Sequence, residues 1–184
     1  MTKNDALSIP ARKSRVFWIE FLVACAGSCF LAVMSQIAIP LIGTPIPVTL
    51  QTFAVFLLGG ILGRRAVYSV MGYLIQGCLV LPVFAGGKAN PLWILGPQAG
   101  FLLSFAVAAY IIGKLIDKKP AGNILYILVA LTIGQVIIFA MGMGWLSFHL
   151  GIEKAFFLGV VPFLPGAGLK VMAAAVVIRG YRTL

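Results

Sequence analysis

The sequence predicts an all-α membrane protein of six transmembrane helices with both termini in the cytoplasm, and three observations carry that prediction. Hydrophobic residues make up 61% of the 184 positions and charged residues only 10%, with a mean hydropathy of +1.09. A soluble domain of this length needs more polar surface, so most side chains have lipid as their solvent. The apolar residues run continuously and do not alternate, which selects helices over a β-barrel. Third, the basic residues are sorted. Of the 14 lysines and arginines, eleven fall on one side of the predicted spans, in the tail before Val16, at Arg64-Arg65, at Lys114, Lys118 and Lys119, and at Arg179 and Arg182. Lys88 and Lys154 fall on the other side and Lys170 within a span. An even number of crossings with both ends inside places that excess on the cytoplasmic face.

Each element follows in turn. Residues 1–15 read as a cytoplasmic tail and 16–184 as one membrane domain. The first span, Phe17 to Ile39, is too long for a signal-peptide core; it begins beside the interfacial Trp18 and is stopped by Pro40. The uncharged, Pro- and Gly-rich stretch 40–47 predicts a turn or a partly re-entrant loop. A short second span, Val48 to Gly63, ends at Arg64-Arg65, and a third runs from Ala66 to Phe84. Residues 85–97 form a loop, 98–116 a fourth span and 123–143 a fifth. Residues 144–155 read as a surface connection. The final stretch, 156–178, is interrupted by Pro162, Pro165, Gly166 and Gly168. No inverted second half is visible of the kind many secondary transporters carry.

Several function classes are excluded. The net charge of +10 belongs to the flanks of apolar runs, not to a patch interleaved with exposed aromatics, so nucleic acid is not a partner. No Gly-x-x-x-x-Gly-Lys-Ser/Thr loop is present, hence no ATPase within this chain. His149 is the only histidine, and neither a triad nor paired intramembrane carboxylates occur. Cys25, Cys29 and Cys78 lie in apolar segments as packing residues. No enzyme, metal or cofactor is expected.

Lys170 is the residue that most needs an explanation. An ammonium at mid-helix costs roughly 2.5–3.5 kcal/mol on insertion scales and is usually met by an anion in a cavity. It follows the Pro165-Gly166 break, where a helix start exposes free N–H donors. The alternative is a lysine that snorkels to the interface or pairs with a backbone carbonyl, and the residues alone leave both open. The four carboxylates, Asp5, Glu20, Asp117 and Glu153, are all assigned to other places, so a counter-charge is expected to arrive with a ligand. Asn90 offers donor and acceptor to an amide- or urea-like solute, and Trp93 a ring to stack on; a turn-forming asparagine and an interfacial tryptophan are the plainer readings. Thr49 and Gln51 start a short span after two prolines, as cavity lining or as caps. Ala24, Ser28 and Ala32 recur every four residues, a spacing that lets another helix approach closely, from this chain or from a partner.

The stretch Ile46-Pro-Val-Thr-Leu-Gln-Thr-Phe, continuing to Arg64-Arg65, resembles the BioY family, the biotin-specific substrate-binding (S) components of energy-coupling-factor transporters. The resemblance continues through Tyr73-Leu-Ile-Gln-Gly77, Leu81-Pro-Val-Phe-Ala-Gly-Gly87, Gly96-Pro97 and the final Pro-Gly with Lys170, and so covers about residues 24–180. It implies an S-component fold that holds biotin at the extracytoplasmic end. Lys170 matches the family's lysine in the last helix, and Asn90 its polar loop residue. Gln51, Tyr73 and Phe84 stand in motif positions, with Trp93 and Gln98 beside them, as pocket residues. Ala24, Ser28 and Ala32 look like the docking face for a transmembrane coupling subunit, which two ATPase subunits would power. Lipid and biotin are the other expected partners, with further copies of the chain if the subunit moves substrate alone as an oligomer. Two departures are visible. Ala167 stands where the family usually has Asp, which leaves Lys170 more exposed to a ligand carboxylate. The family's Gly-Pro-Thr-Gly-Gly-Tyr is here Gly96-Pro-Gln-Ala-Gly-Phe101, so Gln98 is expected to supply a polar contact. The architecture alone also suits an S component for another vitamin, or a membrane scaffold in which Lys170 is structural.

Overall fold

A backbone in lipid must satisfy its own N–H and C=O groups, so long apolar runs become helices. The computed structural model describes residues 5–87, 89, 91–118 and 123–183, with side chains from Arg15 onward. Its helices are α1 (Asp5–Gln36), α2 (Gln51–Leu62), α3 (Ala66–Cys78), α4 (Ala99–Ile116), α5 (Ile124–Leu150), α6 (Ile152–Gly159) and α7 (Leu164–Arg182). Two-residue strands β1 (Ala38–Ile39) and β2 (Val48–Thr49) pair antiparallel, Ala38 opposite Thr49, and pinch the base of the loop between them. Among the described residues, five stretches are long and apolar enough to cross a membrane: Arg15–Gln36, Gln51–Cys78, Ala99–Ile116, Ile124–Leu150 and Ile152–Arg182.

The second of these stretches is folded back on itself. The Gln51 side chain, at the start of α2, donates a hydrogen bond to the Tyr73 hydroxyl in the second half of α3. Along one straight helix those positions would lie about 33 Å apart. The reversal occurs at Gly63-Arg64-Arg65, where Gly63 has φ +62 and ψ −145, a region essentially reserved for glycine. A Cβ there would meet the Asp117 carboxylate, and one on Gly113 would meet the Gly63 backbone. The hairpin turn is thus pressed onto the end of α4.

α2 is the central element, packed against α1, α3, α4, α5 and α7, and Ala54, Val55 and Phe56 are fully buried. α4 lies along α5 at close range, because Gly100 sits against Trp145 and Gly142 against Phe101. α1 buries a narrow stripe of Gly27, Ser28, Leu31 and Ser35 and leaves Phe17, Leu22 and Val33 exposed on its outer face. Exposed apolar side chains of this kind are what a lipid-facing helix presents. At one end of the bundle, Asp117 pairs with Arg64 (3.4 Å) and Arg182 (3.9 Å), and Arg65 pairs with Glu20 (3.3 Å). The hairpin turn, the end of α4, the end of α7 and the start of the first apolar stretch therefore share one charged belt.

The boundaries differ from expectation in four places. The third span ends at Cys78 and not at Phe84, because the chain turns away after α3. Helix begins at Asp5, so the described part of the polar tail continues into α1. α5 runs on to Leu150 and ends at Gly151 (φ +82), so residues 144–150 are helix and not connection. The interruption in the last stretch is at Val160–Phe163, upstream of Pro165, which sits in the first turn of α7 where its missing N–H costs nothing.

Candidate ligand-binding site

Three helices begin around one cavity: α2 after Thr49, α4 after Gln98, and α7 after Phe163. The cavity is of about 60 Å³. Its walls come from the starts of these helices, from the middle of α5, and from Ile46 and Pro47 of the loop 40–47. Helix N-termini carry partial positive charge and free N–H groups, so the mouth favours an acceptor-rich or anionic group.

Lys170 lines this cavity, two turns into α7. Its half-buried Nζ donates to the Thr49 backbone oxygen at 2.6 Å and to the Thr52 hydroxyl at 3.1 Å. The backbone pairing and the cavity position, weighed as alternatives from sequence, therefore occur together. Two of the three ammonium protons are taken, and no carboxylate lies within 4 Å among the described residues. Ala167 lines the same wall one turn earlier, so the position of the family's Asp faces the cavity as a methyl group.

Gln51 also lines the cavity and is held from both sides. The Thr49 hydroxyl donates to its Oε1 (3.0 Å) while its Nε2 donates to Tyr73, whose ring is fully buried. This chain of polar groups joins the start of α2 to α3. Behind Tyr73 the rings of Phe84 and Trp93 continue edge to face, with centroids 5.6 and 5.7 Å apart, and the Trp93 indole donates to Cys78 Sγ at 3.2 Å. Tyr73, Phe84 and Trp93 thus support the wall behind Gln51 and are not part of its lining. Gln98 stands at the mouth and donates to the Pro45 carbonyl at 2.8 Å. Thr44 donates to the Leu158 carbonyl at 2.9 Å. Loop 40–47 is thereby fastened over the cavity to α4 on one side and α6 on the other.

Asn90 lies outside the described residues. Ser28 does not present a partner-docking surface: it is 1% exposed, because α3 approaches it closely at Gly72. Small residues admit a helix of this same chain there. Ala24 and Ala32, on either side of it, are half-buried.

The structure adds residues to the site. Thr52, Phe101, Phe105 and Gln135 line the cavity, and Gln135 is 7% exposed with an enclosed Oε1 that has no hydrogen-bond partner. A glutamine within the apolar run Leu131-Thr-Ile-Gly-Gln-Val-Ile-Ile is as costly a residue as Lys170 is conspicuous, and that cost was the available signal.

The BioY family model matches residues 7–184. The biotin transporter BioY of Thermotoga maritima is 36% identical over 160 residues, covering 86% of this chain and 92% of that one. A probable biotin transporter BioY of Pyrococcus horikoshii is 36% identical over 134 residues, covering 72% of this chain and 78% of its own. The crystal structure of the S-component for biotin from an ECF-type ABC transporter superposes with a TM-score of 0.82 over 100% of this chain and 95% of that one. At 24% identity that structure speaks for the fold. Family model, relatives and fold agree, and the chain belongs to the BioY family.

Proposed function

We propose that this chain captures biotin from outside the cell and serves as the substrate-binding subunit of an energy-coupling-factor transporter. The relatives are biotin transporters by name, and the site can bind but has no group arranged for catalysis. The observation that carries the reading is the Lys170 ammonium at the cavity wall, held by Thr49 and Thr52 with no carboxylate beside it among the described residues. Such a group, flanked by helix N-termini, suits an uncharged-to-anionic solute rich in acceptors. Biotin supplies a carboxylate and a urea oxygen. Apolar walls at Phe101, Phe105 and Phe139 suit its fused rings, and Gln51, Gln98 and Asn90 are the polar candidates for the rest.

In this reading the chain crosses the cell membrane six times, α2 and α3 counting separately and α6 with α7 as one, and both termini face the cytoplasm. The cavity then opens outward. A transmembrane coupling subunit with two ATPases moves the loaded subunit, and no cofactor takes part. Room for only a few waters means that the lining must part to admit a bicyclic solute. Loop 40–47, held to its neighbours by single side-chain hydrogen bonds, is the element that opens.

The test is binding of radiolabelled biotin to the purified chain in detergent, beside a thermal-shift screen over biotin, thiamine, riboflavin and pantothenate. Biotin alone should stabilise the protein. Lys170→Met should weaken binding tenfold or more, equal to about 1.4 kcal/mol. Stabilisation by a different vitamin, or unchanged binding in the variant, would remove the basis for this assignment.

A further inference from the structure

Among the groups that line the cavity, Gln135 is the one whose hydrogen-bonding capacity is spent on nothing. Its side chain is 7% exposed, its Oε1 is enclosed without a partner, and the amide forms no hydrogen bond within the described residues. A buried amide in that condition is destabilising unless something completes it, and buried polar groups are otherwise almost always paired. Gln51 shows the contrast, since both of its amide atoms are satisfied from within the chain.

Its depth follows from chain direction. α4 and α7 run inward from the mouth, where Gln98 meets Pro45, so Phe105 and Lys170 are their deepest lining residues. α5 runs the opposite way, and Gln135 is the first of its residues to reach the cavity, ahead of Ile138 and Phe139. The neighbouring Gly134 packs on Ile112 and Ala108, in the second half of α4. Gln135 and Lys170 therefore stand on adjoining helices at the floor, where the Lys170 ammonium meets Thr49 and Thr52 at the start of α2, while the starts of α4 and α7 and Gln98 surround the mouth.

A floor with an ammonium and a free amide oxygen asks for an acceptor and an N–H donor together. A carboxylate offers acceptors only and would leave the amide oxygen unpaired. The edge of a cyclic urea offers a carbonyl oxygen next to an N–H. Resting on the biotin reading above, we propose that Gln135 is a specificity-determining residue: its amide oxygen accepts a urea N–H of the ligand beside Lys170, with the ligand's carboxylate directed to the mouth. Solutes without an N–H at that end leave the oxygen unpaired and are rejected.

The test pairs a variant with an altered ligand. Binding of biotin and of biotin methyl ester is measured on the purified wild-type chain, Gln135→Leu and Gln135→Met, together with the melting temperature of each protein without ligand. The expected result is a tenfold or greater loss for both ligands in both variants, with an unliganded melting temperature unchanged or raised. Equal affinity of wild type and variants overturns the proposal alone. A loss for biotin that vanishes with the ester overturns it too, since the amide would then be reading the carboxylate. A lowered unliganded melting temperature assigns the side chain to packing and overturns it as well. Absence of biotin binding by the wild type overturns the parent reading instead, and is recognised before any variant is compared.

Discussion

Tyr73 carries its hydroxyl into a fully buried position, and the Gln51 amide depends on it. Tyr73→Phe keeps the ring and its edge-to-face contact with Phe84 but leaves that amide nitrogen without an acceptor. An unsatisfied buried donor costs about 1–3 kcal/mol. Thermal unfolding in detergent should show the loss, and an unchanged melting temperature would mean the Gln51–Tyr73 bond contributes nothing. At this scale Lys170 is legible as a charge inside an apolar run, Gln51 as the polar start of a short span and Gln98 through the family motif, and all three line the cavity. Gln135 also interrupts an apolar run, yet it lies mid-helix, far from any loop or break that would mark it. Phe84 reads as lining from its family motif, and Trp93 from its place in a loop beside helix ends. Which way that loop folds depends on contacts with Tyr73 and Cys78, partners more than ten residues away whose proximity no local pattern encodes.

Elements are set by their terminators, and these differ in how plainly they read. The Arg64-Arg65 stop was plain because two charges are costly to carry into lipid, and the hairpin of α2 and α3 turns there. Gly63→Ala tests that turn. Alanine at φ +62 and ψ −145 is strained, and its Cβ must displace the Asp117 carboxylate from its position. The variant should lose about 1–3 kcal/mol of stability, seen as a lower melting temperature in detergent; a melting temperature equal to wild type would show that the hairpin tolerates another turn geometry. The end of α5 was less plain. Gly142 and Gly144 look like punctuation in water, but in a membrane bundle glycines sit inside helices where a neighbour approaches, as Phe101 does at Gly142. The break before α7 was visible in its prolines and misplaced by a few residues, because proline is welcome in a helix's first turn.

For the whole molecule, the sorted basic residues make a claim about orientation that the belt of Asp117, Arg64, Arg182, Arg65 and Glu20 makes physically coherent. Those charges lie at the end of the bundle away from the cavity, since α2 starts at the cavity wall and ends at the hairpin turn beside them. With Cys25, Cys29 and Cys78 replaced by alanine, Lys154→Cys should react with a membrane-impermeant maleimide on intact cells. Lys118→Cys should react only after permeabilisation, and the reverse pattern would invert the topology. The brevity of α3 has a further meaning once it is set in a bilayer. Its 13 residues, with Tyr68, Met71 and Ile75 exposed on the outer face, extend about 20 Å, against a hydrocarbon thickness of about 30 Å. On the side occupied by the hairpin the lipid has to pinch or the subunit has to lean, and either distortion carries elastic energy. On the proposed reading, a solute lodged by Lys170 would face less hydrocarbon on that side than across an undistorted bilayer.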